Sequence, residues 1–338
     1  MLNLGLSLLK TRLLSRYAQG YSIPINVSFI RALYVIMTDE PERSLSLLAL
    51  QDASLEAVTV IRDEIQFVFE NNPEQGPFSQ TVYGLVRLMS DRSQATMMLT
   101  SWSMPWDAEI VLRAFYETAI KVLLFTKSPR GQREKLLTEF WDDFDSIHMV
   151  RRARKAAFAL GTPSESESGR DVFEALINPD YNDLSHRHNK ATRKAIEQRW
   201  SFSEIIETLS RLDAGEEVQH AKSLLHMYGM ASHFVHGDKT ALDMAHDRVT
   251  RPEPERSIVA AAQAARIHSD IVHLWFFCAD TISRALDVPF RDAATVVAAV
   301  QKVGQLGRPF VVLFEDSQKA FYQGLREKYG SKRTGVEP

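Results

Sequence analysis

The polar residues whose spacing suggests chemistry are Arg113, Glu117, Tyr228, Ser232 and His236. Arg113 and Glu117 stand four residues apart in Trp106 to Phe125, a run that is apolar on nearly every side and reads as one long helix. At about 100° per residue they share a stripe with Ile110, Ile120 and Leu124, so a charged pair takes positions that a bundle core normally gives to aliphatic side chains. Tyr228, Ser232 and His236 recur at every fourth position on a stripe that begins with Val218, Ala221 and Leu225 and turns polar before Gly237, a helix terminator. If the end of this second helix meets the middle of the first, the five side chains line one pocket. His236 would then act as acid or base, Glu117 would orient it and Arg113 would stabilise an anion, while Tyr228 and Ser232 would hold a polar ligand. The same residues also suffice to satisfy one another as a structural ion pair, because buried charges need partners. Spacing alone leaves both readings open.

A second cationic group, Arg151, Arg152, Arg154 and Lys155, closes a helix expected over 134–160, and Arg187, Lys190, Arg193, Lys194 and Arg199 follow a serine-rich stretch at 161–169. Arg151, Arg152, Arg193 and Lys194 are the candidates for holding a phosphate of RNA or of a nucleotide. Only Phe158 and Trp200 are interleaved with these cations, so base stacking is not strongly signalled, and a solvated charged face is the simpler alternative. The pairs Asp145/His148, Asp183/His186, Glu217/His220, Asp243/His246 and Asp270/His273 have the spacing with which bundles hold two iron or manganese ions, with Glu117 and Glu139 as further carboxylates. All but one use Asp where that arrangement uses Glu, so a di-metal enzyme ranks third, and no metal or other cofactor is expected. The chain has no phosphate loop, dinucleotide fingerprint, nucleophile elbow or His-Glu-x2-His sequence.

The elements that must position these residues are helical throughout. Long central helices are expected at 106–126, 134–160, 215–236 and 257–286, which makes the fold class an all-α multi-helix bundle without a sheet. Shorter helices are expected at 3–19, 29–38 and 79–101, with 44–70 as one helix or two and 290–301 and 310–329 closing the chain. The organisation reads as a helical segment over 1–75 packed on the core, a central bundle over 76–290 with a mobile loop at 161–169, and carboxyl-terminal helices with a frayed tail over 291–338. A net charge of -3 argues against coating nucleic acid through global charge, and a single cysteine, Cys278, excludes an internal disulfide and points to a reducing, cytoplasmic setting. No run reaches the roughly 20 apolar residues of a membrane span, and the amino terminus lacks the features of a signal peptide.

The Arg113-x3-Glu117 pair in an apolar helix, followed by Tyr228-x3-Ser232-x3-His236-Gly237, resembles an uncharacterised family of helical bacterial proteins, a domain of unknown function, over about residues 80–285. That resemblance implies a helical fold and an Arg/Glu with Ser/His site, and no reaction. Arg266-x6-His273 is loosely similar to the helical nuclease superfamily of toxin and phage-defence systems, although Ile267 stands where that family prefers a polar residue. The expectation is therefore a cytoplasmic bacterial accessory protein of the stress or phage-defence kind, binding a small polar or phosphorylated ligand, a nucleotide or an RNA phosphate. A non-enzymatic scaffold for protein partners is the alternative, and a homo-oligomer is compatible with either.

Overall fold

The computed structural model describes residues 41–161, 167–177, 188–212 and 215–329, and among these every regular element is helical and none is a strand. The helices expected at 3–19 and 29–38, the turn at 178–180, residues Asp183, His186 and Arg187, and the tail after 329 lie outside the described residues. The chain divides into two compact units, Met1–Ala49 and Leu50–Pro338. Of the first only 41–49 is described, as the start of helix α1 (Pro41–Glu70). The second continues through α2 (Pro77–Ser101), α3 (Pro105–Lys127), α4 (Arg130–Thr138), a π-helical turn at Glu139–Phe144, and α5 (Asp145–Leu160). It then runs through α6 (Glu167–Ala175), α7 (Lys190–Arg199), α8 (Phe202–Leu212), α9 (Glu216–His236), α10 (Lys239–Thr250), α11 (Glu255–Leu286) and α12 (Ala293–Tyr329).

Helix α3 is the axis of the second unit, because Leu112, Phe115, Tyr116, Ala119, Ile120, Val122, Leu123 and Phe125 are all fully buried and require neighbours on most sides. Helices α2, α8, α9 and α11 supply them. From α11 come Ile271, Leu274, Trp275, Cys278 and Ile282, equally buried, and the Cys278 thiol is pushed up by that burial. Among the described residues no helix is long and apolar enough to cross a membrane.

One alternative left open by the sequence is decided, and two elements differ from the sequence reading. Residues 44–70 form part of one helix, because the Ser54 hydroxyl donates to the Leu50 carbonyl at 2.7 Å and is satisfied within a buried turn. The stretch expected to be loop at 161–169 already contains the start of α6 at Glu167. The helices expected at 290–301 and 310–329 are joined as α12, with Pro309 inside it. Val296, Val303 and Phe310 recur every seventh residue and are buried, so packing of this stripe overrides the backbone hydrogen bond that Pro309 removes. Pro309→Ala is accordingly expected to stabilise the protein by about 1–3 kcal/mol. The check is the midpoint of urea unfolding, and an unchanged or lower midpoint would contradict this account of α12.

Candidate functional site

Helix α3 presents Arg113 and Glu117 to Tyr228 of α9. An Arg113 Nη donates to the Tyr228 hydroxyl at 3.0 Å, and that hydroxyl donates to Glu117 Oε1 at 2.8 Å. Arg113 Nε lies 3.4 Å from the same carboxylate, and the guanidinium stands 4.7 Å from the Tyr228 ring centroid. The other face of Tyr228 stacks on Phe202 of α8, with centroids 4.0 Å apart and planes within 6°. Burial raises the Tyr228 pKa, Arg113 draws it down and Glu117 pushes it up, so the phenol remains a donor at neutral pH.

The pair does not lie in the core, as its stripe suggested. Ile110 is 37% exposed, and the Arg113 and Glu117 side chains are 21% and 38% exposed. The stripe becomes buried only at Ile120 and Leu124. Helices α2 and α9 both pack on α3, yet Arg113 and Glu117 remain partly exposed along its edge. On the α2 side, Arg92 donates to the Ala114 carbonyl at 3.0 Å and to the Thr118 hydroxyl. Lys121 follows Glu117 by one turn, and its pKa is lowered by burial, raised by Glu117 and lowered further by Arg92. The edge therefore brings three cations, Arg92, Arg113 and Lys121, around the carboxylate of Glu117. Neither α2 from Arg92 to Ser101 nor α9 from Val218 to Val235 contains an acidic residue to balance them.

Two of the five site residues from the sequence do not join this cluster. The Ser232 hydroxyl turns back onto its own helix and donates to the Tyr228 carbonyl at 3.0 Å. His236 is exposed in the last turn, just before Gly237 ends the helix at φ +59. Tyr228 lies two turns earlier and occupies the Glu117 carboxylate that was expected to orient His236. The histidine paired at this helix end is His233, 2.6 Å from Asp238, whose other oxygen accepts the Ala241 amide at 3.2 Å and caps α10.

Of the phosphate candidates, Arg151 is neutralised by Glu197 of α7 at 2.5 Å. Arg193 stands one turn before Glu197 on α7, Lys194 is exposed beside it, and Arg152 is exposed on α5. Arg199 is committed to Glu139 through two hydrogen bonds of 3.0 and 2.7 Å, and the buried Trp200 donates to the same carboxylate at 3.0 Å.

The deeply buried charges lie elsewhere on α3. Glu109 is only 3% exposed. Its Oε1 accepts from Arg266, and from Gln263 at 2.9 Å, both on α11. Arg266 also donates to Asp270 at 2.7 Å and to the Tyr116 hydroxyl at 3.2 Å, while Tyr116 donates to Asp270 at 2.6 Å. Arg248 of α10 extends the chain, donating to Gln263 at 2.8 Å and lying over the Trp106 ring. Burial opposes the Arg266 charge, but Glu109, Tyr116 and Asp270 outweigh it and hold the guanidinium protonated. Burial is likewise the first cause of the raised Tyr116 pKa. Arg266-x3-Asp270 has the spacing of Arg113-x3-Glu117 and was legible by the same rule; Glu109, one turn before Arg113, completes the signal.

This network also governs the remaining sequence motifs. Arg266 is engaged by Glu109 and Asp270, and His273 Nδ1 lies 2.8 Å from the Ser269 carbonyl, with its ring 5.5 Å from that of His220. Asp270 thus turns towards Arg266 and Tyr116 while His273 turns along its own helix. Among the described residues, no three of His, Cys, Asp and Glu lie close enough together to hold a metal ion.

A family model described as "Family of unknown function (DUF5677)" matches residues 81–253, a span that includes Arg92, Arg113, Glu117, Lys121 and Tyr228 but not Arg266 or Asp270. Comparison with curated proteins and with solved structures gave no match.

Proposed function

The chain belongs to the DUF5677 family of unknown function, and on that premise we propose that the edge of α3 between α2 and α9 binds a small phosphorylated ligand. The observation that carries the reading is the charge imbalance there: Arg92, Arg113 and Lys121 around Glu117, with no further acid on the facing lengths of α2 and α9. Cations held close together repel one another, and a phosphate offers several acceptor oxygens that relieve the repulsion through charge-assisted hydrogen bonds. Arg113 and Lys121 would hold the anion, Tyr228 would position Arg113, and Glu117 would keep the site from binding every anion equally. The reading is of binding and includes no catalytic step. A cytoplasmic setting belongs to the same proposal, supported by a lone cysteine that is fully buried.

Titration calorimetry with inorganic phosphate and nucleoside phosphates tests it. Arg113→Ala and Lys121→Ala should each weaken binding about 10- to 100-fold, the equivalent of one charge-assisted hydrogen bond. Binding needs the ammonium form of Lys121, whose pKa is already lowered, so affinity should decline as pH rises through that lowered value, below the ordinary 10.5. Lys121→Arg should carry binding to higher pH. Failure of wild type to bind any of these ligands, or wild-type affinity in both alanine variants, would overturn the proposal.

A scaffold reading has one observation in its favour, the mutual satisfaction of Arg113, Tyr228 and Glu117. It expects Tyr228→Phe to loosen α9 on α3 whether or not phosphate is present.

A further inference from the structure

Phe158 is 82% exposed, the most exposed of the large hydrophobic side chains described. It sits near the end of α5, and Arg151, Arg154 and Lys155 precede it by seven, four and three residues. At helical spacing these place their side chains on the face of the ring, while Arg152, six residues before it, lies about 120° round the helix. All four cations are exposed, and after Asp145 the helix carries no acidic residue. The apolar side of α5 is already used, since Ile147, Val150 and Ala156 are buried. Phe158 continues the stripe of Ile147 and Val150, eleven and eight residues earlier, beyond the part of it that is covered, and stands as an exposed ring among positive charges.

We propose that this face of α5 binds single-stranded nucleic acid, with Phe158 stacking on a base and Arg152, Arg154 and Lys155 contacting the phosphates on either side. A ring that can accept any base and a row of cations that follows the backbone are the two components of sequence-tolerant single-strand recognition. Seven residues of helix span about 10 Å, which lets the cations and the ring engage successive nucleotides of one strand. Arg151 is tied to Glu197, so the binding charge falls to Arg154 and Lys155 beside the ring and to Arg152 further round the helix.

An anionic bilayer would meet a different surface. Helix α6 packs on α5 and exposes Asp171 and Glu174 beside its Val172 and Phe173. Those carboxylates oppose a flat anionic sheet laid across both helices, while a narrow strand can follow the α5 ridge alone. A duplex is also disfavoured, because its bases are already stacked and leave Phe158 no face to cover.

This inference goes beyond the edge of α3 and does not rest on it. Fluorescence anisotropy of the full chain with short labelled oligouridylate and oligoadenylate tests it directly. Wild type should bind both at low salt, and Phe158→Ala should weaken binding about tenfold while Phe158→Trp restores it. The triple variant Arg152→Ala, Arg154→Ala, Lys155→Ala should weaken both oligonucleotides alike and flatten the dependence of log affinity on log salt by about two. All these residues are exposed, so melting temperatures should match wild type. Arg113→Ala should leave oligonucleotide binding intact, and Phe158→Ala should leave phosphate binding at the edge of α3 intact, so each reading fails separately. No binding by wild type, unchanged binding in Phe158→Ala, duplex binding as tight as single strand, or sedimentation with phosphatidylserine vesicles in place of RNA binding would each overturn the proposal.

Discussion

Arg266→Ala is expected to lower the free energy of unfolding by about 3–5 kcal/mol, the largest effect of any polar substitution in the second unit. The guanidinium is the cation shared by Glu109 and Asp270, whose side chains are 5% and 11% exposed, and it also meets the Tyr116 hydroxyl. Removing it leaves two carboxylates in a region from which water is largely excluded, and Gln263 alone cannot satisfy Glu109. The loss comes mainly from orphaned charge rather than from a forfeited attraction. A double variant therefore separates the two: Glu109→Leu with Arg266→Met should recover much of the stability lost by Arg266→Ala alone. Urea unfolding of the three variants beside wild type is the measurement. A loss below about 1 kcal/mol for Arg266→Ala would place the site among ordinary exposed ion pairs and contradict the burial argument.

Glu64→Ala should cost about 2–4 kcal/mol, by a different route. The Glu64 side chain is 4% exposed, and its Oε2 accepts the backbone amides of Arg291 at 2.7 Å and Asp292 at 3.3 Å. Its Oε1 accepts Arg291 Nε at 3.2 Å and a terminal nitrogen at 3.0 Å. One carboxylate thus anchors both the side chain and the main chain just ahead of α12, where the amides at a helix start lack partners of their own. Asp292 caps the helix from within, accepting the Thr295 amide at 3.0 Å, so α12 should still form in the variant but dock less firmly. Hydrogen exchange should show lost protection concentrated in the first turns of α12, whereas Arg266→Ala should reduce protection across α3 and α11. Uniform loss in both variants would contradict the separate roles given to the two carboxylates.

The helices were legible because their apolar periodicity is long and regular, and α3, α9 and α11 fall within two residues of the limits read from sequence. Pro309 misled because the rule that breaks a helix there is local, while the buried stripe of Val296, Val303 and Phe310 that keeps it intact is set by packing. In the site, the i, i+4 rule correctly put Arg113 beside Glu117 and showed which face of α9 Tyr228 occupies. It could not say where that face stops touching α3. Ser232 and His236 share the stripe of Tyr228, yet at this end α9 meets α3 through Phe234, which stacks on Trp106 at 4.3 Å, and His236 is left exposed. Arg266 and Asp270 were within reach of the same i, i+4 rule, but their pairing with Glu109 runs to another helix, and a single sequence carries no measure of that contact.

The π-helical turn at Glu139–Phe144 makes the length of that segment matter more than its composition. A π turn accommodates one residue more than an α-helical turn, so it acts as a register offset between α4 and α5. Trp141 donates to Thr81 at 2.9 Å, and Glu139 is fixed by Arg199 and Trp200, so the chain is clamped ahead of α5 while the extra residue sets the angle at which α5 leaves. Deleting one residue within the turn would let it close as an α-helical turn and leave α5 near its present orientation, whereas the same deletion early in α5 has no bulge to absorb it and would rotate Phe158 and its cations by about 100°. The π turn is thus the one place in this segment where the loss of a residue is absorbed, and the position of a deletion decides its effect on the basic face more than its chemistry does.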